Sequence, residues 1–153
     1  MAWTESRPFD SFALAVLDRT IAFDLDNDAF KSALYNNLIT PDRTVAETLS
    51  RYNTGQWVTG GEVSDGVEWD AGGEPITGLD VTIPAGGTIR WDGVDTPSGG
   101  SSATLDCYGC LDYDDTLVND PGVCYRDFGG QQTVTNGIFN IIHAGTGIVQ
   151  LTT

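Results

Sequence analysis

The last third of the chain restricts its fold more than any other stretch. It reads YDDT at Tyr113–Thr116 and then GVCYRDFGGQQTVTNGIFNIIHAGTGIVQL from Gly122 to Leu151. Apolar residues alternate with small or polar ones in three short runs: Val123–Tyr125–Phe128, Ile138–Phe139–Ile141 and Ile148–Val149–Leu151. A period of two puts alternate side chains on one face of a strand. Between the runs sit Gly129-Gly130, Asn136-Gly137 and Gly145-Thr146-Gly147, which tolerate the positive φ that tight turns require. The pattern predicts an all-β domain that closes on its last strands.

Upstream, residues 1–8 read as an extended N-terminal arm, and residues 9–153 as one β-rich domain. Phe9, Phe12, Ala13, Val16 and Leu17 follow helical spacing, which predicts a helix over 9–18 with Ser6 or Asp10 as its cap. Thr20–Phe23 and Ala29–Tyr35 read as strands around an acidic turn at Asp24–Asp28. Thr40-Pro41-Asp42 is a helix-start signal, and Val45, Leu49 and Tyr52 share one face, so a second helix is expected over 41–52. Beyond Gly55 the helical period vanishes. Residues 56–75 read as a loop with brief strands; Leu79, Val81 and Ile83 alternate, as do Ile89 and Trp91, and Ala103–Tyr113 is a further strand. The expected fold is therefore mainly β: a single β-sandwich or jelly-roll-like domain with two short helices in its N-terminal half.

A chain of 153 residues fits one domain, and folding at this size hides about 68–70% of the surface of the unfolded chain. Nineteen glycines and six prolines suit a turn-rich sheet protein. Twenty-two acidic side chains against seven basic ones give a formal charge of −15. Such a surface repels phosphate backbones and anionic lipid, so neither nucleic acid nor membrane is an expected partner. The opening MAWTESRPFD lacks the apolar run of a signal peptide. No Asp, Glu, Lys or Arg occurs from Phe128 to Thr153, but Gly, Gln, Thr, Asn and His interrupt that stretch, so it reads as sheet and not as a membrane span.

Candidate chemistry is sparse. Asp24, Asp26 and Asp28 imitate the start of a calcium loop, but an EF-hand needs Gly and Glu where this chain has Ala29 and Tyr35. These carboxylates, or Asp112, Asp114 and Asp115, either form a looser cation site or shape solvated turns. Cys107, Cys110 and Cys124 are an odd number of thiols and, with His143, match a Cys₃His zinc set in arithmetic only. Strand alternation places Cys107 and Cys110 on opposite faces unless a bulge intervenes, so free buried thiols are expected. With one His and no G-x-S-x-G there is no support for a hydrolase triad. The expectation is no catalytic residue, no metal and no cofactor. Among Trp3, Trp57, Trp69 and Trp91, Trp3 on the arm is the candidate anchor for a partner, with Arg7 beside it, unless it folds back on its own domain.

Three blocks carry a family resemblance: Asp24-x-Asp26-x-Asp28, Lys31, Ala33-Leu34-Tyr35-Asn36-Asn37 and Thr40-Pro41-Asp42; Glu62-Val63-Ser64 with Ala71-Gly72-Gly73; and Tyr113-Asp114-Asp115-Thr116 with Asp127-Phe128-Gly129 and Thr135-Asn136-Gly137. Together they resemble a family of small virion proteins of tailed bacteriophages, usually encoded near the capsid genes. The three cysteines and His143 depart from that pattern, standing where ordinary core residues or Trp are expected. The resemblance implies a virion structural protein, most simply a decoration (minor capsid) protein on the outside of the head, made in the bacterial cytoplasm. Its implied partner is the major capsid protein, with self-association into a small oligomer on the capsid also open. Two other readings stand beside it: a tail or head–tail connection protein, and a glycan-binding attachment module with exposed Trp and Tyr as sugar platforms.

Overall fold

Antiparallel pairing organises the computed structural model, which describes residues 3–152; residues 1, 2 and 153, at the ends of the expected arm and domain, lie outside the described residues. In chain order the elements are β1 (Arg7–Pro8), α1 (Asp10–Asp18), β2 (Phe30–Tyr35), α2 (Glu47–Ser50), β3 (Glu62–Val63), β4 (Glu74–Ile76), β5 (Asp80–Ala85), β6 (Thr88–Asp92), β7 (Thr96–Pro97), β8 (Ala103–Asp114), β9 (Gly122–Gly137), β10 (Asn140–Ile141) and β11 (Val149–Thr152). The fold is mainly β with two short helices in the N-terminal half, as the periodicities indicate.

The main sheet runs β1-β9-β8-β2-β3, with β4 also on β2. Its backbone is the hairpin of β8 and β9. Ala33, Leu111 and Tyr125 stand opposite one another across β2, β8 and β9. With Tyr35, Tyr113 and Val123 they build one core face, covered by Trp3, Phe9 and Trp57. The other face carries Ser32, Asp112 and Cys124 in one row and Leu34, Cys110 and Arg126 in the next. A three-stranded sheet, β11-β6-β5, lies over part of it. Trp91 of β6 anchors that sheet: its ring meets Phe30 edge-on at 4.9 Å, and its Nε1 donates to the Leu25 carbonyl at 2.8 Å.

Several local expectations change. The helix near residue 9 forms, but Phe9 caps it without a side-chain bond, and only Phe12 and Ala15 of α1 are buried. Leu14, Val16 and Leu17 face outward, because Phe12 and Ala15 define one narrow buried face of this nine-residue helix. Ser6, expected as a cap, instead accepts from the Asp127 amide at 3.0 Å. The expected helix over 41–52 shrinks to the single turn Glu47–Ser50. Asp42 explains the loss: its Oδ1 takes both the amide and the hydroxyl of Thr44, at 2.8 and 2.7 Å, a local turn that competes with helix. Thr20–Phe23 is likewise no strand, since Asp18 binds the Thr20 amide and hydroxyl in a turn. Gly129 and Gly130 do not end a strand. They lie inside β9 with φ of 77° and 139°, where the β8–β9 ladder shifts register.

Candidate functional site

The three blocks that carry the resemblance meet in one bonded junction. Glu62 accepts from the Gly72 amide at 2.5 Å through Oε1 and from the Tyr52 hydroxyl at 2.9 Å through Oε2. Tyr113 donates its hydroxyl to the Gly72 carbonyl at 2.7 Å and stacks on Tyr52 with ring centres 4.6 Å apart. At Gly73, φ is +85° and a β-carbon would collide with the Ser32 carbonyl, so this close approach requires glycine. Lys31 pairs with Asp115 at 2.9 Å, and Ala29 and Thr116 bond at 2.7 Å. These residues hold loops to the main sheet.

Asp114 in this junction is fully buried. Its Oδ1 accepts from the amides of Thr116 and Leu117 at 2.8 and 3.1 Å, while Oδ2 finds no donor among the described residues and the Asp28 carboxyl lies beside the group. Burial, with the Asp28 carboxyl alongside, pushes its pKa up to about 6. The loop from Asp24 to Asp28 closes on itself: Asp28 accepts from the Asp24 amide at 2.8 Å, and Asp24 binds the Asn27 side chain at 2.9 and 3.0 Å. Asp26 reaches out to the Val81 amide at 2.8 Å. Among the described residues no three His, Cys, Asp or Glu side chains converge as metal ligands.

A second polar cluster joins β2, β8 and β9 on the face of the main sheet opposite Tyr35 and Tyr125. Asp112, wholly buried, lies 2.7 Å from Arg126 Nε through Oδ2 and accepts from Arg126 Nη2 at 2.8 Å through Oδ1. Ser32 donates its hydroxyl to the same Oδ1 at 2.5 Å. The Cys124 thiol lies 3.3 Å from Asp112 Oδ2, and the Cys110 thiol 3.8 Å from Oδ1. Cys107 and Cys110 occupy the same buried cluster, beside Leu34 and Trp69, because the alternation of β8 shifts phase between them. All three cysteines are free, and burial raises their thiols, Cys107 to about 12 and the others well above the ordinary value. His143 lies apart from any thiol bond, with Nδ1 3.1 Å from the Gly93 carbonyl; burial and the Arg126 charge lower its pKa.

The expected partner anchor Trp3 is instead part of the core. It is fully buried, its Nε1 donates to the Asn36 carbonyl at 3.0 Å, and its ring meets Trp57 at 6.0 Å and Tyr125 at 6.4 Å. The chain from Trp3 to Pro8 thus lies on the domain, ending in β1 paired to β9. Arg7 is exposed and held by Glu5 at 2.8 Å. Trp57, Trp69 and Trp91 are buried as well, which removes Trp as a sugar platform. What sequence spacing did not expose is a cleft of about 480 Å³ between β9 and β11, with Arg7, Cys124, Arg126, Phe128, Val149 and Gln150 on its walls.

No protein-family model matches the chain, and no curated protein or solved structure does so either.

Proposed function

We propose that this is a structural protein of a tailed-phage virion, and within that class a decoration (minor capsid) protein seated on the outside of the assembled head, with no catalytic activity. The observation that carries the reading is the junction of Glu62, Gly72, Tyr113, Lys31 and Asp115. Residues from the three blocks that resemble phage virion proteins bond to one another there, so the likeness concerns a way of fixing loops on a sheet. Such a likeness suits structural proteins and assigns no chemistry. The partner in this reading is the major capsid protein, after synthesis in the bacterial cytoplasm, with a small oligomer on the capsid as a further option.

The mechanism is cementing. A protein that binds only the composite surface between neighbouring capsid subunits stabilises the assembled shell by mass action. Its −15 charge keeps it off packaged DNA and suits an outer position. Exposed Arg7 on β1 and Leu14 and Leu17 on α1 are available for contact.

Purified protein should bind assembled heads far better than dissociated capsid subunits, and densitometry of virions should find hundreds of copies per particle. Heads lacking it should lose heat resistance while still carrying tails. Labelling on the tail, or unchanged heat resistance without the protein, would reject the decoration role.

A further inference from the structure

We propose that the cleft beside β11 receives one extended strand from another polypeptide, uncharged where it lies in the cleft and basic at its flanks. β11 is the edge of the three-stranded sheet, so one side of its backbone has no strand partner among the described residues. That sheet covers the main sheet around Phe30 through Trp91 but stops short of β9 and β1. The gap left at its margin is the 480 Å³ cleft, floored by Cys124, Arg126 and Phe128 and walled by Ile148–Gln150. In effect the covering layer is one strand too narrow. Strand rise, strand spacing and layer spacing allot about 160 Å³ to each residue of a packed strand, so the cleft has room for about three. Unpaired N–H and C=O groups along β11 ask for a backbone partner, the recognition mode of strand addition.

Charge selects the occupant. The chain carries −15 overall but not one charged residue from Phe128 to Thr153, the segment that forms β10, β11 and one whole wall of the cleft. Of the charged residues on the other walls, Arg126 is paired with Asp112 and Arg7 with Glu5, and Asp127 accepts from the Gly129 amide. The interior therefore matches a neutral segment, whereas the acidic body attracts cationic flanks. A second copy fits poorly. Pairing β11 with its own symmetry mate would set two −15 bodies together. A lone arm avoids that repulsion. If the virion reading above holds, and only this clause rests on it, the arm belongs to a capsid subunit.

The test appends Asn-Gly-Lys-Thr-Val-Thr-Val-Lys after Thr153, so that a turn returns a strand along β11 at high effective concentration. Amides of Val149–Leu151 that face away from β6 should then exchange with deuterium at least about tenfold more slowly than in the unextended protein. The free peptide acetyl-Lys-Thr-Val-Thr-Val-Thr-Lys-amide should protect the same amides, and its Asp-flanked counterpart should bind at least about tenfold more weakly at low salt. Unchanged exchange in the extended protein would overturn the strand site; equal binding of both peptides would overturn the charge assignment. Head binding is scored separately. A docked tether in a protein that never binds heads rejects the virion reading and keeps the site. Undiminished head binding by the tethered protein, whose cleft is filled, rejects the capsid-arm assignment.

Discussion

Arg126 grips Asp112 with two nitrogens, at 2.7 and 2.8 Å, in the one ion pair among the described residues whose carboxylate is wholly buried. Ser32 completes the cluster from β2, so three neighbouring strands of the main sheet are bonded through one carboxylate. A buried pair of this kind adds little net stability over apolar residues of similar size, but losing one partner strands the other charge. Asp112→Ala should therefore destabilise the domain by about 3–5 kcal/mol in urea unfolding. Replacing both Asp112 and Arg126 by Leu should recover most of that loss. A single variant as stable as the parent would show that water reaches Arg126 in the folded state.

Trp3 and Gly109 fit as a lid and its recess. A β-carbon on Gly109 would collide with the Trp3 ring and with the Arg126 carbonyl. Trp3→Ala should cost about 3–5 kcal/mol as a core truncation, and Gly109→Ala should also destabilise by displacing the same ring. Thermal unfolding of both variants checks this. A Trp3→Ala protein with unchanged stability would return Trp3 to the role of an external anchor.

The sequence made the strands legible where alternation was strict. β5 and β6 lie where the alternation of Val81 with Ile83 and of Ile89 with Trp91 puts them. The second helix failed because Asp42 spends its carboxylate on Thr44, a contact that a helix-start signal does not distinguish from a cap. The burial of Trp3 was hidden for a different reason: its pocket is made by Gly109, more than a hundred residues away in the sequence. The Asp112–Arg126 pair depends on the register of the β8–β9 ladder, which shifts between Asp112 and Tyr113 opposite Gly122, a long-range feature that no local pattern announces.

The thiols offer a direct check of the core. Cys107, Cys110 and Cys124 are buried and free, and burial keeps each protonated at neutral pH. The native protein at pH 8 should react negligibly with a thiol reagent, and the denatured chain should yield three equivalents. Zinc analysis should find no stoichiometric metal. One rapidly reacting thiol in the native protein would mean that the cleft opens onto Cys124, the cysteine on its floor.

Asp114 should make the domain less stable as the solution becomes neutral. Its folded pKa of about 6 lies above the ordinary 3.8, so the folded state holds a proton that the unfolded chain has released across that interval. The contribution of Asp114 to stability is therefore full below about pH 4 and is lost as pH rises through about 6. Other carboxylates work in the opposite direction: three backbone amides of the Asp65 turn and that of Thr104 hold Asp65 below its usual range. The total pH profile mixes these effects, and a variant isolates one. Asp114→Asn keeps an oxygen for the Thr116 and Leu117 amides, and its amide nitrogen offers a donor to Asp28 in place of a second negative charge. Relative to the parent it should gain about 1–3 kcal/mol at pH 7 and nothing at pH 4. A gain of equal size at both pH values would mean that packing, not the proton, separates the two proteins. A loss at pH 7 would mean that the carboxylate is stabilised by a cation, and titration with calcium would then restore the parent's advantage.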